Sequence, residues 1–347
     1  MPHTDAPRIY YETSGDARGT PLVLIEGLGA QLLGWRAGFV DKLVARGLHV
    51  IRIDNRDVGL SDKFGEPGDY AAAYAIDDMA DDVVRVLDAI GIGAAHVVGQ
   101  SMGGAIAQRL ALRSPERVRS ATLFYTAPAF GVEFVTEEAL ARAAAPPPAA
   151  DLSRAEAVEA HVASERYAAS RDYPFDEAWI RECGGLCYDR GFRPDGVLRQ
   201  VAALLGAGDW REELAALTLP VAIIHGRADR LIKVEAGFEL ARRIPTPSST
   251  PFRAWGTRSS PSCGTCSSTS SRARSPETLP HGRSAATQTL DEQVEIEIGH
   301  VRRPQRRRRI EPARHAIERP EQRARGDRGI AVADRAVALP LGDHRAH

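Results

Sequence analysis

The pattern of apolar and polar positions changes regularly over the first 245 residues. Short apolar runs of strand length are each followed by a segment with the three-to-four-residue spacing of a helix. Strands are predicted at 9–12, 21–26, 48–53, 95–99, 118–125 and 219–224, and helices at 35–46, 76–90, 102–112 and 234–244. Strands that alternate with helices imply parallel βαβ units, so the pattern predicts an α/β fold with a doubly wound, mostly parallel sheet.

The pattern is interrupted between residues 127 and 211. Alanine- and proline-rich sequence at 143–150 leads into short helical stretches that carry Tyr167, Trp179 and Tyr188. A helical insertion of this kind covers a pocket above the strand ends. We therefore expect a core of residues 8–126 and 212–245, with a helical cap at 127–211.

Composition narrows the range of partners. The chain has 347 residues, a 43% hydrophobic fraction and a formal net charge of -1, which favours a small-molecule substrate over nucleic acid. The N-terminal residues have neither the basic nor the apolar region of a signal peptide, and no apolar run is long enough to span a bilayer. We therefore expect a cytoplasmic protein without a membrane partner, and the oligomeric state is left open.

A nucleophile motif follows the fourth predicted strand. Residues 99–103 read Gly-Gln-Ser-Met-Gly, which fits G-x-S-x-G, and they join an apolar strand to a helix as that motif requires. Ser101 is the predicted nucleophile. Gly99 and Gly103 would provide the space that its strained turn needs. The alternative is a serine in a glycine-rich turn without chemistry.

Two backbone amides are predicted to form an oxyanion hole. One is that of Met102, after the nucleophile, and the other is that of Leu28, in the Gly27-Leu28-Gly29 loop after the second strand. The alternative is a simple glycine turn. Glu26 stands where many related sequences have histidine.

Asp229 is the predicted acid of a catalytic triad. It follows the strand after the cap, which gives the chain order Ser, Asp, His. The alternative is an aspartate that stabilises a turn or caps a helix. His96 and His225 lie in predicted strands and are interpreted as core residues.

Three segments carry a family resemblance: DNRDVGLS at 54–61, AHVVGQSMGG at 95–104 and HGRADRLI at 225–232. They resemble the α/β-hydrolase superfamily, and most closely its esterases related to the aclacinomycin methylesterase, over residues 8 to 245. The resemblance implies acyl transfer to Ser101 followed by attack of water, with no cofactor and no metal. Serine at this position argues against the dehalogenases and epoxide hydrolases of the fold, which have aspartate there.

The catalytic histidine of that family is missing from the reading frame. The family places it after the last strand, commonly as Gly-Met-Gly-His, and no such segment follows Asp229. Residues 254–257 can be encoded GCA TGG GGC ACG, which read two bases later gives Met-Gly-His. Residues 261–265, encoded CCG AGC TGT GGG ACG, give Glu-Leu-Trp-Asp in the same frame. We interpret this as a frameshift near residues 245–246 that removes the last strand and the histidine loop.

The sequence after residue 245 fits this interpretation. Residues 256–347 contain no aromatic residue and include the run Arg306–Arg309. A segment of this composition buries too little apolar surface to offset the conformational entropy that is lost on folding. Residues 246–347 are therefore expected to form an aberrant, disordered tail. His281 is the only in-frame candidate base there. Cys263 and Cys266 form C-x-x-C without the context of a metal or redox site, and the basic run is a solvated tail rather than a nucleic-acid site.

Three functions remain open. The first is a serine esterase that is impaired by loss of its histidine. The second is a non-catalytic binding protein that uses the capped pocket. The third is a cofactor-free haloperoxidase or C–C hydrolase with the same triad, which the sequence does not separate from the first.

Overall fold

A seven-stranded sheet forms the centre of the protein. The computed structural model describes residues 2–66, 73–149, 151–171, 173–245 and 247–252, the last range by its backbone alone. The strands are β1 Tyr11–Ser14, β2 Thr20–Ile25, β3 Leu48–Ile53, β4 Ala95–Gln100, β5 Val118–Phe124, β6 Val221–Gly226 and β7 Pro247–Phe252. Their order is β1-β3-β2-β4-β5-β6-β7, with β1 antiparallel to β3 and all other neighbours parallel.

Helices cover both faces of this sheet. They are α1 Ala37–Ala45, α2 Ile76–Ala89, α3 Met102–Arg113, α4 Glu137–Ala143, α5 Arg154–Ala168, α6 Glu177–Gly191, α7 Asp195–Leu205 and α8 Val234–Arg243. Side chains of β2 alternate between the faces: Leu22 and Leu24 pack with Leu43 of α1, while Val23 and Ile25 pack in the same cluster as α2 and α3. Burial on both faces explains why the strands are continuous apolar runs. The predicted doubly wound α/β fold is confirmed.

Four helices, α4 to α7, lie between β5 and β6 and form the cap. A fully buried ion pair joins α7 of the cap to the core, and a second pair lies within α7. The guanidinium of Arg199 on α7 donates to both carboxylate oxygens of Asp57 over 3.0 and 3.1 Å, and to Asp195 over 2.9 Å. Removal of one partner would leave a buried charge uncompensated, so these contacts fix the position of the cap.

The described elements differ from the predicted ones at the two ends of the sheet. The first strand begins two residues later than predicted, at Tyr11. The sheet also continues past residue 245, because β7 pairs in parallel with β6 over its full length. The predicted end of the core at residue 245 is therefore corrected. A strand, β7, follows it at 247–252, where the sequence led us to expect the loss of the last strand. The rest of the predicted tail, 253–347, lies outside the described residues.

Candidate active site

Ser101 lies at a strained turn between β4 and α3. Its φ is 53° and its ψ is -119°, a conformation that is costly for a residue with a side chain. Its N–H donates to the carbonyl of Phe124 over 2.9 Å, which fixes the turn against β5. A Cβ at Gly99 would lie 2.1 Å from the Gly103 oxygen, and one at Gly103 would lie 2.3 Å from the Ile25 oxygen. Larger residues at either glycine would therefore displace the turn.

A cavity of about 660 Å³ separates this turn from the cap. Ser101 and the loop 26–31 lie on its core side. Its cap side is mainly apolar and is formed by residues that include Leu140, Tyr167, Trp179 and Val201. The hydroxyl of Ser101 makes no hydrogen bond to any described residue, so it is exposed to whatever occupies the cavity.

The loop after β2 passes directly beside the serine. A Cβ at Gly27 would lie 3.8 Å from Ser101 Oγ. Three amides of this loop donate hydrogen bonds: Gly27 to Glu26 Oε2 (3.1 Å), Gly29 to Gln200 Oε1 (2.7 Å) and Ala30 to the Gly27 carbonyl (3.2 Å). The amides of Leu28 and Met102, by contrast, have no hydrogen-bond acceptor among the described residues. Two amides next to the serine are thus available to an incoming oxygen.

Glu26 is completely buried beneath this loop. Besides the amide of Gly27, its Oε2 accepts a hydrogen bond from the side-chain amide of Gln100, whose carbonyl oxygen accepts one from the Tyr125 hydroxyl. Asn55 donates to the Glu26 carbonyl oxygen over 3.0 Å. Glu26 therefore accepts hydrogen bonds from both the loop and β4, and in this way holds the loop at 26–31 against β4.

Asp229 lies in the turn after β6, with its carboxylate fully buried. Its Oδ1 accepts hydrogen bonds from the amides of Leu231 (2.8 Å) and Ile232 (2.9 Å), which is the turn-stabilising role considered from the sequence. Its Oδ2 lies 3.7 Å from Nε2 of His225. Asp229 is not part of the cavity wall, although Leu231 and Ile232 are.

His225 does not have the geometry of a base for Ser101. Its Nε2–H donates to the carbonyl of Ile232 over 3.1 Å, and its side chain is 3% exposed. Burial lowers its pKa, which the hydrogen bond to Ile232 partly offsets, so the ring is neutral. Its Nδ1 faces α8, where a Cβ at Gly237 would lie 2.9 Å away. The interpretation of His225 as a core residue is therefore supported by its contacts.

One described histidine does reach the cavity. His161, on α5 of the cap, is part of its wall, whereas His281 lies outside the described residues. His161 and Gln200 were not singled out from the sequence. Neither belongs to a motif, and both are brought to the site by the packing of cap helices that the helical pattern does not specify.

Neither a metal site nor a membrane span is found among the described residues. They contain no group of three or more His, Cys, Asp or Glu side chains arranged to hold a metal ion. The described helices are also too short or too polar to cross a bilayer.

Comparison with known families identifies the fold. Residues 20–254 match the family model described as the alpha/beta hydrolase fold, which covers both halves of the core and the cap between them. The chain belongs to the α/β-hydrolase fold family. This α/β-hydrolase is 42% identical over 120 residues to a rhodomycin D methylesterase from a Streptomyces species, which is 34% of the chain and 39% of that relative. The chain thus spans about two fifths of the length of such curated relatives.

A longer match is found with a different hydrolase. A 2-hydroxymuconate semialdehyde hydrolase from a Pseudomonas species is 33% identical over 235 residues, covering 64% of the chain and 75% of that relative. Among solved structures, an enol-lactonase from Burkholderia xenovorans aligns with 74% of the chain and 93% of its own length, with a TM-score of 0.59 and 24% identity. The structural likeness supports the fold.

Proposed function

We propose that this α/β-hydrolase is built to cleave carboxylic esters through an acyl-enzyme on Ser101. The observation that carries the proposal is the geometry around that residue. A serine in a strained turn presents an unbonded hydroxyl to the cavity, and the amides of Leu28 and Met102 beside it are without acceptors. Catalysis by acyl transfer requires both a nucleophile and donors for the developing oxyanion.

The steps follow from this arrangement. Ser101 Oγ attacks the ester carbonyl, and the negative charge on the carbonyl oxygen is stabilised by the two N–H groups. The positive end of the α3 dipole, which begins at Met102, adds to that stabilisation. The C–O bond then breaks, the alcohol leaves with a proton, and water cleaves the acyl-enzyme. Each half-reaction needs a base to take a proton from the attacking oxygen.

That base is the component that we propose to be missing. In this proposal Asp229 is the acid that would orient a histidine, but His225, which lies beside it, is buried and donates its Nε2–H to the Ile232 carbonyl. A frameshift near 245–246 would account for this, since codons for residues 254–257 can be chosen that give Met-Gly-His in an alternative frame. We propose that the chain as it stands is an impaired esterase.

The cavity supports a bulky, uncharged substrate. Its apolar cap side and its volume of about 660 Å³ suit an ester with a large hydrophobic group. The related rhodomycin D methylesterase is named for an ester substrate. A C–C hydrolase is the second candidate, favoured by the longer match to the 2-hydroxymuconate semialdehyde hydrolase. A cofactor-free haloperoxidase or a non-catalytic binding protein are the remaining alternatives.

The test compares the chain as it stands with a chain whose frame is restored near Thr246, each with and without Ser101→Ala. Hydrolysis of p-nitrophenyl acetate should be slow in the first chain and rise by about 10³-fold or more in the second, because triad residues act as a unit. Ser101→Ala should abolish that gain. Equal hydrolysis by the restored chain and its Ser101→Ala variant would refute the serine mechanism.

Two further outcomes separate the alternatives. A folded but inactive restored chain that still binds hydrophobic esters would favour the binding-protein function. Cleavage of a vinylogous 1,5-diketone in preference to p-nitrophenyl esters would favour the C–C hydrolase.

A further inference from the structure

The inner wall of the cap carries a second group of reactive side chains. Cys183 and Cys187 lie one turn apart on α6, and His161 and Glu165 lie one turn apart on α5. All four line the cavity that Ser101 also lines. Both cysteines are free thiols, and Cys183 is 5% exposed. A thiol pair, an imidazole and a carboxylate therefore share the cap side of the cavity, whereas Ser101 lies on its core side.

Close packing of α5 on α6 brings the imidazole to the thiol. A Cβ at Gly184 would lie 2.8 Å from Cδ2 and 3.1 Å from Cγ of His161. The ring thus lies directly against the backbone of α6, at the residue that follows Cys183. Only glycine at position 184 leaves room for this approach.

The surroundings favour the thiolate at Cys183. A hydrogen bond from the Cys187 thiol lowers the pKa of Cys183, and His161 lowers it further, against the opposing effects of burial and of the Glu165 carboxylate. The same bond to Cys183, together with burial, raises the pKa of Cys187. The shared proton therefore stays on Cys187. In the neutral form the Cys183 thiol faces the Leu33 carbonyl oxygen, 3.8 Å away.

The spacing of the two cysteines favours proton sharing over a disulfide. Residues four apart on a helix have Cβ atoms about 5–6 Å apart, whereas a disulfide needs about 3.5–4.5 Å. Bridging Cys183 to Cys187 would require α6 to distort. The pair is better suited to keep one thiol as a nucleophile.

We propose that Cys183 is a second nucleophile of the cavity and a covalent modification site for uncharged α,β-unsaturated carbonyl compounds. The apolar cavity selects uncharged ligands, and a thiolate adds readily to a soft conjugated carbon. The sulfur forms a bond to the β-carbon, the C=C π pair moves to form an enolate, and the α-carbon takes a proton from water. The net reaction adds S–H across the double bond and needs no oxidant. The adduct fills the cavity and blocks access to Ser101.

The test uses N-ethylmaleimide, an uncharged α,β-unsaturated carbonyl compound, with the full chain at pH 6. Fragment-ion mass analysis of the peptide that contains both Cys183 and Cys187 assigns the adduct to one of the two thiols and gives the rate of adduct formation at Cys183. The same peptide from the urea-unfolded chain is the reference. A lowered pKa raises the thiolate fraction of Cys183 at pH 6, and it also lowers the intrinsic nucleophilicity of that thiolate. The first effect is the larger, so Cys183 should react roughly tenfold faster in the folded chain than in the unfolded chain. A slower reaction in the folded chain would refute the proposal. Because the readout is a peptide mass, it does not depend on turnover at Ser101.

Matched variants test the role of the neighbours. Cys187→Ala removes the donor and should slow the reaction of Cys183 at pH 6 several-fold, whereas Cys187→Ser keeps a donor and should restore most of the rate. His161→Gln should also slow the reaction and shift its pH profile toward that of an ordinary thiol. Near-identical rates and pH profiles in the wild type, Cys187→Ala and His161→Gln, with all three folded by circular dichroism, would show that Cys183 is an unactivated thiol.

Discussion

The backbone N–H of Gly29 donates a hydrogen bond to Oε1 of Gln200 over 2.7 Å, and this bond joins the cap to the loop beside Ser101. The side-chain amide of Gln200 donates in turn to the carbonyl of Arg56 over 2.6 Å, and the residue is completely buried. One side chain of α7 therefore holds two loops of the core. The position of the neighbouring Leu28 amide therefore depends on Gln200, which lies 171 positions after Gly29 in the chain.

Gln200→Leu tests this dependence. The substitution removes the partners of the half-buried Gly29 amide and of the buried Arg56 carbonyl, and the buried carbonyl alone costs about 1–3 kcal/mol. We expect a lower free energy of unfolding in urea and faster hydrogen exchange at the Gly29 amide. In the frame-restored chain we also expect kcat to fall more than the affinity for substrate.

Gln108→Leu is the matched control. Gln108 is equally buried, but its side chain bonds Gly104, Ala127 and Trp210 within the core. The Gln108→Leu variant should lose a similar amount of stability, but hydrogen exchange at the Gly29 amide should not become faster. If both variants changed Gly29 exchange alike, the loop would be responding to general destabilisation.

Gly103→Ala should destabilise the turn that carries Ser101. The added Cβ would meet the backbone oxygens of Ile25 (2.3 Å) and Glu26 (2.6 Å), which β2 holds in place. Overpacking of this kind costs about 1–3 kcal/mol. Gly93→Ala, in open space, should instead leave the urea midpoint unchanged or raise stability by up to about 1 kcal/mol. Equal midpoints for the two variants would contradict the close approach.

His225 should make stability depend on pH below about 6.5. Burial lowers the pKa of His225 in the folded protein, so below 6.5 the unfolded chain binds a proton that the folded chain does not. Stability is therefore greatest above the unfolded pKa and falls as the pH decreases toward the folded one. Asp229 and Glu235 are the acidic groups near the ring.

His225→Gln provides the measurement for this prediction. Between pH 6.5 and 5.5 the wild type should lose up to about 1 kcal/mol more than the variant, by urea unfolding at each pH. The glutamine amide can still donate to Ile232. A parallel loss in both proteins would assign the pH dependence to other groups.

Asp77 should contribute stability that is lost only in acid. The paired hydrogen bonds from Arg109 (2.6 and 3.0 Å) lower the pKa of Asp77, so its contribution is present above about pH 4 and is lost as the pH falls through the lower folded value. Asp77→Asn should cost about 0.5–1 kcal/mol at pH 7, since the pair is partly exposed, and less at pH 3. Asp88→Asn, whose pair with Arg117 is more exposed, should cost less at pH 7. A loss in Asp77→Asn that is the same at pH 7 and pH 3 would exclude the ion pair as its cause.

Local pattern was sufficient to predict the core. The buried parallel strands are continuous apolar runs, and α2 has one apolar face with Met79, Val83 and Leu87. The spacing of apolar residues was therefore sufficient to identify both the strands and the helices. The turn at Ser101 was predictable because it leaves no room for a side chain two residues before or after the serine, so glycine is required at 99 and 103. The strand at 247–252 was not predicted because Pro247-Ser-Ser-Thr-Pro-Phe has no apolar alternation.

The rest of the site depends on contacts between distant parts of the chain. The packing of cap helices brings His161 to the cavity and Gln200 to the loop at 26–31. Nothing in the spacing around either residue differs from that of a surface helix. The buried pair Arg199–Asp57 joins residues 142 positions apart. A single sequence contains no record of such pairings, so the cap could be predicted as helical but not as the support of the loop at 26–31.

The cap leaves the sheet after β5 and returns before β6, and these two strands are neighbours. Its ends meet at a bridge between Ala129 and Asp209, supported by a hydrogen bond from the Trp210 amide to the Pro128 carbonyl. A segment whose ends lie side by side can be exchanged for one of another length without breaking the ladder of the sheet. Such an exchange would give the proposed nucleophile, Ser101, a different range of substrates. It would be limited by one requirement: the incoming segment would have to supply its own acceptor for the Gly29 amide.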